Sequence, residues 1–118
     1  MKITIVEDDP DILFSMQVVL ENAGYDVTAL PSSKTIMNGK FEDPDLFIFD
    51  KRMPEMDGLD ICRYLRTKPK SKNIPIVVIS ASPKFGREAL RAGANGFLAK
   101  PFALRDLLEI VSKHIMAK

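Results

Sequence analysis

The chain carries no tryptophan, one cysteine and one histidine. A lone Cys62 excludes an internal disulfide framework and any cysteine-rich zinc site. It falls among helical apolar positions, which predicts a buried, reduced thiol. With His114 as the sole imidazole, multi-histidine metal sites and serine-protease-like triads have no base to use. Its place near the end of the last helix suits the helix dipole and calls for no chemistry. An excess of either charge is missing as well: 17 Lys and Arg stand against 16 Asp and Glu, a net charge of +1. That leaves no basic surplus to hold nucleic acid directly and no acidic tail to suggest disorder. Long hydrophobic runs are also missing. The first apolar stretch after Lys2 ends at Glu7, too short for a signal peptide or a membrane span, so a cytoplasmic location with no membrane partner is expected.

What remains is the composition of an ordinary globular domain, 46% hydrophobic and 28% charged over 118 residues. A single domain of this size buries about two thirds of its unfolded surface and folds without disulfides or structural metal. Short apolar runs alternate with helical patterns five times. Strands are predicted at Ile3 to Val6, Tyr25 to Leu30, Leu46 to Asp50, Pro75 to Ile79 with Ser80 at the end, and Gly96 to Ala99. Helices are predicted from Pro10 to the stop at Gly24, from an opening at Pro31-Ser32-Ser33 to near Asn38-Gly39, over Gly58 to Arg66, over Arg87 to Ala92, and from Leu104 almost to Lys118. Asp9-Pro10 is an N-cap followed by proline at the first helical position. Leu46-Phe47-Ile48-Phe49 shows no polar alternation, as expected of a parallel strand covered on both faces. The reading is a single α/β domain over residues 1–118, a parallel five-stranded sheet with helices on both faces and no output domain.

Residues capable of chemistry stand where the buried strands stop. Glu7 and Asp8 follow the first, Asp50 ends the third, Ser80 the fourth, and Lys100 follows the fifth. In an open parallel sheet, ligands bind outside the carboxyl ends of the strands, where the strand order reverses. An order of 2-1-3-4-5 would bring Asp8 and Asp50 into one crevice. Clustered carboxylates repel unless a cation shares the site, and hard oxygen ligands without histidine suit Mg²⁺. A lysine and a hydroxyl at neighbouring strand ends add a charge and a hydrogen-bond donor for phosphoryl oxygens. The set suggests an aspartate that attacks phosphorus while cations neutralise the developing charge. Each residue alone is more commonly a cap, a turn residue or a solvated side chain. Four at successive strand ends are less readily a coincidence.

These residues resemble the receiver domains of two-component response regulators, and the resemblance runs the length of the chain. It is carried by Ile5-Val6-Glu7-Asp8-Asp9, by Asp50-Lys51-Arg52-Met53-Pro54 with Asp57-Gly58, by Ser80-Ala81 and by Lys100-Pro101-Phe102. The resemblance implies a flavodoxin-like (βα)5 fold. It implies Asp50 as the phosphoacceptor for a phosphohistidine on a histidine kinase or phosphotransfer protein. Mg²⁺ would sit on Asp8, Asp50 and the Arg52 backbone carbonyl, with Glu7 taking part directly or through water. Lys100 would pair with a phosphoryl oxygen across a cis bond to Pro101, while Ser80 and Phe97 would be the switch residues. A downstream protein would read the face made by helix 4, strand 5 and helix 5. Such a chain is a phosphorylated signalling domain that assists its own phosphoryl transfer and slow dephosphorylation, and not an enzyme.

Three features depart from that pattern. Ser80 and Gly93 lie closer together than is usual, so helix 4 should be short or rearranged. The segment Ala94-Asn95-Gly96-Phe97 lacks the acidic pair of transcription-factor receivers, which weakens the case for their shared dimer mode. Arg52 either shields an acyl phosphate from water or pairs with Glu7. The alternative function is a pseudo-receiver, a docking module that works without phosphorylation. A phosphatase of the haloacid dehalogenase type is excluded because Arg52 stands where a general acid is needed. A flavodoxin-like nucleotide binder is excluded because Glu7-Asp8-Asp9 would repel a phosphate.

Overall fold

The computed structural model describes residues 1–39, 41–52 and 56–116. Met53 and Pro54, part of the motif after Asp50, lie outside the described residues. The chain runs β1 (Lys2–Val6), α1 (Pro10–Asn22), β2 (Asp26–Leu30), α2 (Lys34–Met37), β3 (Leu46–Asp50), α3 (Gly58–Arg66), β4 (Ile76–Ser80), a single 3₁₀ turn (Pro83–Phe85), α4 (Gly86–Arg91), β5 (Gly96–Ala99) and α5 (Leu104–Met116). All strands are parallel, in the order β2-β1-β3-β4-β5.

Period-2 alternation distributes the side chains of the sheet between two cores. Ile3, Ile5, Leu46, Ile48, Val77 and Ile79 pack with Met16 and Leu20 of α1 and Leu107, Val111 and Ile115 of α5. Phe47, Phe49, Ile76 and Val78 pack on the other side with Ile36 of α2, Leu59, Ile61, Cys62 and Leu65 of α3, and Ala89 of α4. Every residue of β3 and β4 is buried, which is why these runs carry no polar alternation. Cys62 is fully buried, and burial pushes its thiol up to about 12.

Local chemistry sets the helix starts. The Asp9 carboxylate accepts the N–H groups of Asp11 and Ile12, with Pro10 as the first helical residue. Asp57 does the same for α3 by accepting the Leu59 N–H at 2.8 Å. Several predicted boundaries shift by a residue or more. Tyr25 precedes β2 and lies in the turn after α1, where its N–H bonds the Leu20 carbonyl. Pro75, which has no N–H to donate, precedes β4. The fourth helix begins at Gly86 and has six residues behind one 3₁₀ turn, so it is short, as the Ser80–Gly93 spacing requires. Gly93, at φ 107°, ends that segment where a side chain would collide with Arg66.

Candidate functional site

Register decides which strand ends meet. Val6 pairs with Phe49, Asp50 with Ile79 and Ser80 with Ala99, so Glu7, Asp50, Ser80 and Lys100 reach one edge of the sheet together. Backbone bonds continue past the strands: Glu7 N–H to Leu30 O, Lys51 N–H to Ile79 O at 2.8 Å, and Lys100 N–H to Ser80 O. The site is therefore an extension of the sheet ladder.

Asp50 is buried, and both its oxygens are engaged. Oδ1 accepts the Arg52 N–H at 2.9 Å, and Oδ2 receives the Lys100 ammonium. The same Nζ lies 3.3 Å from Glu7 Oε2, while Glu7 Oε1 accepts the Asp9 N–H at 3.1 Å. Glu7 is 1% exposed. Burial first, then the Asp50 carboxylate beside it, pushes its pKa up from 4.5 to about 7 against the opposing pull of the Asp9 N–H and Lys100. Burial by itself would lower the Lys100 ammonium, but Asp50 and Glu7 more than offset it and hold its pKa raised. The Lys100–Pro101 peptide is cis.

Glu7, Asp8 and Asp50 each present a carboxylate oxygen within 4.8 Å of the others. Asp8 is exposed and leaves the cluster open to solvent on its side. These are three hard oxygen donors without a nitrogen or sulfur ligand, and one of them, Glu7, has its pKa pushed up to about 7 first by burial and then by Asp50. That is a donor set suited to Mg²⁺, which keeps several waters and takes few carboxylates. The Arg52 side chain is exposed, and among the described residues it makes no ion pair with Glu7, whose partner is Lys100. Of the two readings of Arg52, the structure disfavours the pairing with Glu7.

Ser80 is buried at the end of β4, and its Oγ accepts the Ser82 N–H at 3.1 Å, so the hydroxyl is turned along its own loop. Phe97 is half-buried against the core on the α3 and α4 side, with its ring beside Gly86. Close packing also shapes the loop after Asp50. A Cβ on Gly58 would lie 2.5 Å from the Asp50 carbonyl oxygen, so only glycine lets α3 start this near the acceptor strand. Next to the acidic cluster, a groove of about 440 Å³ runs between α1 and the β5–α5 connection, with Ile12, Met16, Phe102 and Leu104 along it and Lys100 at its edge.

Beside the site stands Lys51, which the sequence places within the motif after Asp50 but gives no role there. The Lys51 Nζ lies 2.8 Å from Asp57 Oδ2 and 4.0 Å from the centroid of the Phe85 ring. Its only signal was adjacency to Asp50 and a spacing of six residues to the α3 cap.

Residues 3–112 match the model of the response regulator receiver domain. An uncharacterized 14.6 kDa protein of Leptolyngbya boryana is 34% identical over 99% of this chain and 92% of its own length. The alkaline phosphatase synthesis transcriptional regulatory protein PhoP of Bacillus subtilis is 33% identical over 90% of this chain but only 45% of its own, so the chain spans under half of that regulator. Among solved structures, the receiver domain of the sensor histidine kinase PA1611 of Pseudomonas aeruginosa superposes with a TM-score of 0.87 at 30% identity, covering 98% of this chain and 97% of that one. That structure holds a magnesium ion coordinated in its active site cleft. With a match over nearly its whole length and the acidic strand-end cluster in place, the chain belongs to the response regulator receiver domain family.

Proposed function

We propose that the protein is the phosphoacceptor switch of a two-component or phosphorelay pathway, with Asp50 as the acceptor. The observation that carries this is the seating of Asp50, buried with one oxygen fixed by the Arg52 N–H and the other on the Lys100 ammonium. An Asp50 oxygen attacks the phosphorus of a phosphohistidine on a histidine kinase or phosphotransfer protein. The P–N bond breaks, its electron pair returns to the imidazole, and the imidazole takes up a proton. Glu7, Asp8, Asp50 and the Arg52 carbonyl would hold Mg²⁺, whose charge would offset that of the phosphoryl oxygens. Lys100 keeps its place and passes from the carboxylate oxygen to a phosphoryl oxygen. The exposed Arg52 stands two residues from the acyl phosphate, where it screens the group from water.

Signalling follows from a change of partners. The Ser80 hydroxyl leaves the Ser82 N–H for a phosphoryl oxygen, and Phe97 moves inward behind it. Moving a switch from 1:99 to 99:1 takes about 5.5 kcal/mol. One charge-assisted and one neutral hydrogen bond supply roughly 2–4.5 kcal/mol. The free protein therefore samples the switched form measurably. The readout face is α4, β5 and α5, contacted by a downstream protein in the cytoplasm and not by nucleic acid. The domain turns over no substrate beyond its own slow dephosphorylation.

Intact mass after incubation with acetyl phosphate and Mg²⁺ tests the proposal. Wild type gains one phosphoryl group, and the Asp50→Asn variant and a chelated sample gain none. The six-residue α4 favours one rival, a docking module that works without phosphorylation. A folded wild type that takes no phosphoryl group and binds no Mg²⁺ would establish that rival.

A further inference from the structure

We propose that Lys51 is a positioning residue of the switch, a latch that holds the β4–α4 connection in its unphosphorylated place by seating its ammonium on the Phe85 ring. The inference rests on Asp50 being the acceptor.

Lys51 is fixed on every side. Its N–H bonds the Ile79 carbonyl at 2.8 Å, and its own carbonyl accepts the Gly58 N–H at 2.9 Å. The side chain is only 13% exposed, and Asp57, which pairs with Nζ, is itself anchored as the cap of α3. An exposed lysine–carboxylate pair contributes little. This one is largely shielded from solvent, and the ring 4.0 Å from the ammonium makes it directional. Lys84 also approaches Phe85, but at 5.4 Å and from an exposed position, so Lys51 is the closer cation.

Phe85 is tied to the site by two routes. One runs through its own loop: Phe85 N–H bonds Ser82 O at 3.2 Å, and Ser82 N–H bonds Ser80 Oγ. The other is Lys51, the residue next to Asp50. When the Ser80 hydroxyl turns to a phosphoryl oxygen, the first route opens and the second remains. The Lys51–Phe85 contact then resists displacement of residues 82–86. Gly86 follows Phe85 directly, and its Cβ position would lie 3.6 Å from the Phe97 ring, so the place of this segment also decides where Phe97 can go. A contact made in one state and weakened in the other biases the equilibrium before any phosphoryl group arrives. A small phosphodonor reacts in proportion to the switched population, so removing the latch speeds the reaction about three- to fivefold for a cation–ring contact of ordinary strength.

Three variants test this. Phe85→Leu keeps an apolar side chain without the ring face, Lys51→Met keeps length without charge, and Lys51→Arg keeps both the Asp57 pair and the stacking. The readouts are the rate of phosphorylation by acetyl phosphate, Mg²⁺ affinity, the thermal midpoint, and amide exchange broadening of residues 82 and 84–86 without a phosphodonor, Pro83 having no amide hydrogen. Phe85→Leu and Lys51→Met are expected to react about three- to fivefold faster, with Lys51→Arg at the wild-type rate, Mg²⁺ affinity unchanged in Phe85→Leu, and exchange in residues 82 and 84–86 increased. Rates equal to or below wild type, whatever the thermal midpoint does, would reduce Lys51 to a structural residue. A wild type that accepts no phosphoryl group refutes the role of Asp50 instead. The amide exchange then judges the latch alone, and unchanged exchange in Phe85→Leu overturns it.

Discussion

Replacing Glu7 by glutamine should stabilise the metal-free protein above neutral pH. Glu7 is almost wholly buried beside Asp50, and its pKa rises from 4.5 in the unfolded chain to about 7 in the folded one. Between those values the folded state holds a proton that the unfolded state has released, so stability falls as pH rises and the full penalty stands above pH 7. A shift of this size corresponds to about 3 kcal/mol at 1.36 kcal/mol per unit. The opposing term is the Lys100 contact at 3.3 Å, which the glutamine keeps only as a hydrogen bond to a neutral group. Lys100 retains Asp50 as its partner, so this loss stays small. The check is urea unfolding followed by far-UV circular dichroism in chelator at pH 5 and pH 8, since the chain has no tryptophan to report. Comparing wild type with the variant cancels His114, whose pKa is lowered by burial and by Lys113 and whose contribution rises with pH in the same range. Because the unfolded carboxyl is already mostly ionised at pH 5, the stability difference should move by roughly 2–3 kcal/mol in favour of Glu7→Gln from pH 5 to pH 8. A difference that stays flat would refute the assignment of a raised pKa to Glu7.

Two further outcomes follow from packing and backbone chemistry. The Arg66 guanidinium donates to the carbonyls of Gly93, Ser71, Lys72 and Ile74 and to Asn95 Oδ1, tying the end of α3 to the segments that precede β4 and β5. With water able to replace some of these, Arg66→Ala should cost about 2–4 kcal/mol, seen as a thermal midpoint lowered by about 8–15 °C; a drop within a few degrees would mean the carbonyls are solvated equally well without it. Gly58→Ala places a methyl group against the Asp50 carbonyl, so it should both destabilise the fold and slow phosphorylation, and a variant that reacts at the wild-type rate would show that this loop yields without moving the acceptor.

Some elements were legible because one physical cause acted alone. The unbroken apolar run Leu46 to Phe49 ending in a carboxylate marked β3 to the residue, and the apolar stripe Ile61, Cys62 and Leu65 marked α3. Tyr25 was misplaced because alternation continues through it, while the bond that holds it to Leu20 depends on how α1 ends. The fourth helix began one residue early because Gly86 offers no helix preference of its own and follows a 3₁₀ turn set by the short connection. In the site, Glu7, Asp8, Asp50, Ser80 and Lys100 were readable as strand ends. Their partners were not. That Lys100 spans Asp50 and Glu7, that Ser80 faces Ser82, and that Lys51 reaches Phe85 are matters of register and rotamer, on which residue order is silent.

The position of Lys100 between two of the three carboxylates sets the net charge of the cluster. When all four groups are ionised, Glu7, Asp8 and Asp50 against Lys100 leave two negative charges in a partly buried space. A dication brings that total to zero, a monocation leaves a surplus that burial penalises, and a trication overshoots. The lysine thus bridges two of the carboxylates and also leaves the cluster a residual charge that a dication would neutralise.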